Sequence, residues 1–290
     1  MPDYKKRLGD RRDGRLIREL DSLHFTLAVI YPNRADNEAY ISHQVDLTNI
    51  KKYIEKKNET EKEFPYTFFH IIVAALLKTL VLRPKLNIFI CNENYYMRDD
   101  ISAAFVVKKK FDDNGEESLA VVHAHNDDTL ESIHKEIYRQ ITFHRSGEQN
   151  STGDALEIVN KIPRFISKTF IHFMRRLDKL GKVPKSLVAD DPGYSSVFIS
   201  NLGSIKLKCG YHHLANWGTT SLFCIVGEKK WTPVYDENGF VCMRETLDLG
   251  LTVDERIADG YYYARSVALL KKLLENPELL EKQFSEEVDY

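Results

Sequence analysis

Seven consecutive residues, Asp254-Glu255-Arg256-Ile257-Ala258-Asp259-Gly260, bring three carboxylates and one guanidinium together. Carboxylates can take up or release a proton and a guanidinium can fix a carboxylate in place, so the cluster is a candidate for acid–base or binding chemistry. Its surroundings strengthen that reading. Upstream, Leu247, Leu249, Leu251 and Val253 alternate with Asp248, Gly250, Thr252 and Asp254, the period of two expected of a strand with one buried face. Downstream, Tyr263, Val267, Leu270 and Leu274 recur at steps of four, three and four, marking one apolar stripe of a helix. The charges therefore sit at a strand-to-helix corner, held by two rigid elements yet open to solvent or ligand. Asp259 also suits the N-cap of the following helix.

With 290 residues, 43% of them hydrophobic, the chain can bury a substantial core, and no long linker divides it. A single domain over residues 1–290 is expected. A formal net charge of −2 gives no general electrostatic reason to bind nucleic acid. The longest apolar run, Ile71 to Leu77, is far too short to span a bilayer, and the charged opening residues lack the apolar segment of a secretory signal. A cytoplasmic protein without a transmembrane segment is expected. Cys91, Cys209, Cys224 and Cys242 lack the close pairing that zinc or redox motifs need, so no disulfide and no metal are expected, and Cys91 and Cys224, which lie in apolar runs, are expected to be buried thiols.

Strand-like and helix-like patterns alternate along the chain. His24–Tyr31 reads as a strand and Ala39–Asp46 as a second, followed by a helix carrying Ile50, Tyr53 and Ile54. Pro65–Asn87 is apolar on most sides, which suits a central helix beneath a sheet, ended by Arg83-Pro84; His70 within it is expected to be a satisfied core residue. Three or four strands follow over residues 87–125, with a hairpin turn at Asp112–Gly115 and residues 108–110 as its solvated end. Leu130–His144 reads as an amphipathic helix. Residues 147–154 read as a loop, and Asp154 with Glu157 as a capping box. Beyond Pro163, Ile166, Phe170, Phe173, Leu177 and Leu180 form a stripe opposite Arg164, Lys168, Arg175, Arg176 and Lys179, a basic helix expected to bury the stripe and solvate the charges. Strands are expected near residues 194–207 and over Leu222–Val226, and a hairpin turn at Asp236–Gly239.

DERIADG resembles the DHRxxDG signature of the dihydrolipoamide acyltransferases and the HHxxxDG of chloramphenicol acetyltransferase, with Glu255 where those families carry the catalytic His. FISNLG, ending at Gly203, resembles their FTxSNLG segment, in which the Ser matched by Ser200 donates to the oxyanion of the tetrahedral intermediate. Ser200 and Glu255 lie 55 residues apart, close to the family separation. Residues 40–54 look like the strand, Asp and helix that open the chloramphenicol acetyltransferase-like fold. Pro84 and Asn87 match the residues closing its long helix. Asn216 and the Gly227-terminated strand agree with the family, whereas Trp217-Gly218 replaces two prolines. The resemblance implies an α/β two-layer sandwich, a mixed β-sheet covered by helices, with a helical insertion at about 150–190. It further implies coenzyme A or acyl-CoA as cosubstrate, a small-molecule or lipoyl-type acyl acceptor, and a homotrimer in which Ser200 of one subunit faces the Glu255 corner of its neighbour. No lipoyl or subunit-binding domain is expected ahead of the catalytic one. Asp259, Gly260, Arg256 and Asn216 would be structural at the site, Asp259 pairing with Arg15, Arg18 or Arg256.

The substitution at position 255 bears directly on catalysis. Moving a proton from a thiol to an ordinary His costs about 2.7 kcal/mol, but to an ordinary Glu about 5.7 kcal/mol. A glutamate would also set negative charge beside the developing oxyanion. Three outcomes stay open: burial raises the proton affinity of Glu255, His212 or His213 supplies the imidazole from another backbone position, or the chain is a catalytically inactive trimeric binding or scaffold protein, a pseudoenzyme.

Overall fold

The computed structural model describes residues 4–61, 63–108, 117–146, 161–184, 188, 191–236 and 238–290. Strand β10 (Val241–Asp254) pairs antiparallel with β2 (Glu38–Asp46), β8 (Leu222–Val226) and β9 (Lys230–Tyr235). Beyond β8 lies β7 (Val197–Asn201), then β5 (Ile101–Lys108), both joined in parallel, and β6 (Glu117–Ala124) closes the sheet antiparallel to β5. The sheet is therefore mixed, in the order β2-β10-β8-β7-β5-β6. A smaller sheet joins β1 (Gly14–Leu16), β4 (Asn94–Arg98) and β3 (Ile88–Cys91).

One face of the large sheet is covered by helices. Helix α3 (Phe68–Leu82) is buried from His70 to Leu80, as its nearly continuous apolar sequence requires, and packs against α4 (Leu130–Arg145) and α6 (Gly260–Glu275), with α2 (Thr48–Asn58) alongside. Its one lysine, Lys78, is fully buried and donates from Nζ to the carbonyls of Leu279 and Gln283, each at 2.9 Å. Those bonds offset the cost of enclosing an ammonium and tie the C-terminal segment under the helix.

The opposite face is covered by extended chain. After β7 the backbone doubles back along β8: Gly203 lies against the Gly227 carbonyl, Cys209 and Gly210 against Gly250, and the His212 ring stacks on Phe223 at 4.3 Å. Leu214, Phe223 and Ile225, with Phe198 and Leu202, form a second small core beneath it. Both faces of β10 are thus covered near its end, so Gly250 and Thr252 are buried along with Leu249 and Val253.

The elements read from alternation and helical spacing are present, with two corrections. His24–Tyr31 is not a strand; Ser22–Ile30 is helix α1, started by the Asp21 carboxylate accepting from the Leu23 and His24 amides. Leu23, Phe25 and Ile30 remain exposed on it. Helix α5 (Arg164–Lys179) forms as expected, but in the single chain its stripe is not buried: Phe170 is 43% and Phe173 57% exposed. Its anchor is polar. Asp178 accepts from Arg11 Nη2 at 3.0 Å and from the Tyr194 hydroxyl at 2.9 Å. The turn at Asp112–Gly115, the loop at 147–154 and the Asp154–Glu157 capping box lie outside the described residues, as do residues 109–110. Among the described residues no helix is long and apolar enough to cross a membrane.

A Cβ on Gly250 would come within 2.0 Å of the Gly210 carbonyl oxygen. Gly250→Ala is expected to lower unfolding stability by about 1–3 kcal/mol in denaturant titrations, by forcing the covering chain off the sheet.

Candidate active site

The corner at the end of β10 is built around a buried ion pair. Asp254 is fully buried, and Arg256 grips it in a fork, Nε to Oδ1 at 2.8 Å and Nη2 to Oδ2 at 2.6 Å. Arg256 Nη1 also donates to the Tyr31 carbonyl at the end of α1. A second buried guanidinium, Arg34, stands 3.9 Å from the same carboxylate and donates to the carbonyls of Ala215 and Gly218. Burial lowers the Arg34 pKa, and Asp254 opposes that shift. The Tyr263 hydroxyl donates to the Asp254 carbonyl at 2.8 Å, locking α6 to the strand.

On this frame Glu255 is exposed, as are Asp259 and Gly260. Its amide donates to the Asn37 carbonyl at 3.0 Å, and among the described residues its carboxylate makes no hydrogen bond or ion pair. Asp259 does not pair with an arginine in the single chain. It caps α6, accepting from the Tyr262 amide at 2.8 Å, while Arg256 is engaged by Asp254, Arg15 by Asp99 and Arg18 by Asp10. Gly260 follows as the first residue of α6.

His212, His213 and Asn216 reach the same end of the sheet. The Leu214 amide donates to the Glu38 carboxylate, next to the Asn37 carbonyl that holds Glu255, and Asn216 Oδ1 accepts from the Ala35 amide at 3.1 Å. Both imidazoles are exposed and stack on each other at 4.5 Å. His212 Nδ1 lies 2.8 Å from the His213 carbonyl oxygen. Since a carbonyl only accepts, Nδ1 carries the proton of the neutral ring and Nε2 presents its lone pair.

Ser200 is elsewhere. It sits beside Ile225 in the β7–β8 register, and Ile225 beside Gly250 in the β8–β10 register, so five residues of β10 and its turn separate that rung from Glu255. At strand spacing this is roughly 17 Å, which puts Ser200 and the corner at opposite ends of the sheet. Ser200 lines a cavity of about 610 Å³ with Phe64, Phe69, His70, Phe105 and Arg145. The ISNLG turn is shaped by Asn201, whose carbonyl accepts from Ser204 Oγ at 2.8 Å.

His70 is a core residue, as expected, but it also faces this cavity. Its Nδ1 accepts from the Thr67 amide at 2.9 Å, filling the place usually taken by Glu or Gln in a capping box. Arg34 and the cavity-facing side of His70 carried no recognisable sequence signal. Arg34 lies in a segment that reads only as a turn, and a histidine at the third helical position is not a familiar cap.

The sequence of residues 158–281 matches the family model for the 2-oxoacid dehydrogenases acyltransferase (catalytic domain), a span holding both Ser200 and Glu255. The chain is 24% identical over 243 residues to the lipoamide acyltransferase component of the branched-chain alpha-keto acid dehydrogenase complex of Bacillus subtilis (strain 168), covering 82% of this chain and 46% of that protein. It thus spans about half the length of that relative. Its fold is that of a dihydrolipoamide acetyltransferase of Azotobacter vinelandii, in which a serine, a histidine and an asparagine were investigated for their role in the catalytic mechanism (TM-score 0.61, 14% identity, 92% and 94% of the two chains covered). A chloramphenicol acetyltransferase also shares it (TM-score 0.54, 14% identity, 90% and 99% covered). The chain thus has the mixed α/β fold that these acyltransferase structures share. Its C-terminal part, with the ISNLG and DERIADG motifs, is the part whose sequence is similar to the 2-oxoacid dehydrogenase acyltransferase catalytic domain.

Removing the Arg256 fork would leave Asp254 buried without its main partner. Arg256→Ala is expected to cost about 3–5 kcal/mol of stability and Glu255→Ala less than about 0.5 kcal/mol, compared by urea unfolding. Burial, with His134 nearby, depresses the His70 pKa to about 3. The unfolded chain therefore binds a proton below pH 6.5 that the fold refuses. Stability should be fully present above that pH and fall by roughly 1 kcal/mol per unit as pH drops toward 3. His70→Gln should remove that share of the slope in urea titrations at pH 7, 6 and 5.

Proposed function

We propose that the chain is a coenzyme A-dependent acyltransferase that works as a homotrimer, Ser200 of one protomer facing the Glu255 corner of the next. The observation that carries this reading is the separation of the two motifs: each is held rigidly, yet they stand at opposite ends of one sheet, so a neighbouring copy is needed to bring them together. The exposed apolar residues of α1 and α5 offer surface for such contacts.

In the reaction, a thiol, hydroxyl or amine of a small-molecule or lipoyl-type acceptor attacks the thioester carbonyl of acyl-CoA. A base takes the proton, the Ser200 hydroxyl donates to the oxyanion, and collapse expels the coenzyme A thiolate, which recovers a proton from the protonated base. His212 is the base this geometry favours, because its Nε2 lone pair is exposed and its Nδ1–H is held. Glu255 is exposed in the single chain, so the desolvation that would make it a base must come from the neighbouring protomer. A cytoplasmic location and the absence of a resident metal belong to the same proposal.

The second reading, a catalytically inactive trimeric binding protein, draws on that same exposed Glu255 in the histidine position. Free thiol released from acetyl-CoA, measured with amine, alcohol and thiol acceptors, separates the two. Ser200→Ala is expected to lower kcat about 10²–10³-fold and His212→Ala to abolish turnover, with Glu255→Gln far milder. Turnover unchanged in Ser200→Ala would reject the proposal. A silent wild type that gains activity as Glu255→His would establish the second reading.

A further inference from the structure

The cavity beside Ser200 contains one polar side chain whose purpose the cap alone does not explain. His70 is 97% buried by its 3% exposure, and its two ring nitrogens have different fates. Nδ1 accepts from the Thr67 amide at 2.9 Å. Among the described residues Nε2 makes no hydrogen bond, and it is not one of the side-chain atoms sealed away without a partner; His70 lines the cavity. An amide N–H can only donate, so Nδ1 must be the unprotonated nitrogen and Nε2 must carry the hydrogen. The ring is therefore a fixed donor rather than a base. Burial and His134 keep it neutral throughout the physiological range.

The rest of the wall says what such a donor would meet. Phe64, Phe69, Phe105 and Ile199 are apolar, while Lys108 and Arg145 bring positive charge to the same cavity. An aliphatic chain fits the first group and an electron-rich oxygen the second.

We propose that the cavity binds the acyl group of the substrate, and that His70 Nε2–H donates to an acceptor oxygen of that group. This rests on the acyltransferase reading but is tested by binding, without turnover, so the two can fail separately. The probe is hexanoate, with hexylammonium as a chain of similar length that lacks an acceptor. In protein carrying ¹⁵N-labelled histidine, His70 is expected to show the Nε2–H tautomer, and its Nε2–H resonance to move on titration with hexanoate and not with hexylammonium. Two substitutions keep the cap acceptor for the Thr67 amide. His70→Gln, which retains a donor, should bind hexanoate within a few-fold of wild type. His70→Met, uncharged and with no donor, its thioether a weak acceptor for the cap, should bind it at least about 10-fold more weakly. An Nδ1–H tautomer, a resonance that hexanoate leaves in place, or equal affinity in the folded His70→Met protein would each overturn the proposal. If both variants unfold, the wild-type resonances decide it alone.

Discussion

The buried pair of Asp254 and Arg256 is the constraint on which the corner of this protein depends. A carboxylate with no solvent exposure needs a partner of fixed geometry, and the guanidinium fork supplies one from two residues away. Because Arg256 also reaches the Tyr31 carbonyl, and Arg34 joins the carboxylate to the carbonyls of residues 215 and 218, one charge cluster fixes three stretches of chain that are remote in sequence, residues 31–34, 215–218 and 254–256. The exposed residues on and beside them, Glu255, His212 and His213, are thereby presented from a rigid base. Two positive charges around one negative is an arrangement that stabilises only when their remaining N–H groups find carbonyls, and most of them do.

Sequence patterns revealed the frame well where a single periodicity ruled. β10 alternates, α6 repeats at helical spacing, and α3 is apolar throughout because it is enclosed on nearly all sides. His24–Tyr31 failed for a definable reason. A short apolar run can be strand or helix, and the deciding feature was Asp21, whose carboxylate caps the first turn. The basic helix shows the opposite limit: its amphipathic spacing foretold α5 but not what covers the stripe, since the single chain leaves Phe170 and Phe173 exposed.

The site was legible as motifs and much less so as geometry. ISNLG and DERIADG pointed to the acyltransferase catalytic domain that residues 158–281 match. Local sequence suggested Asp259 as an N-cap, which it is, whereas the resemblance suggested an arginine partner, which the single chain does not supply. His70 could be read as a core residue, but its orientation toward the Ser200 cavity depends on Thr67 and on walls contributed by α4, β5 and β7. No local pattern encodes an arrangement assembled from so many segments.

The chain that doubles back along β8 touches both ends of the sheet. It leaves Ser200 through the Asn201 turn, rides on Gly227 and Gly250, where only hydrogen fits, and arrives at His212 and Asn216. Such a strap is a mechanical link: it cannot slide without carrying the oxygen at one end and the imidazoles at the other. A change of one methyl group beneath its middle would consequently be felt at both places at once, far from either.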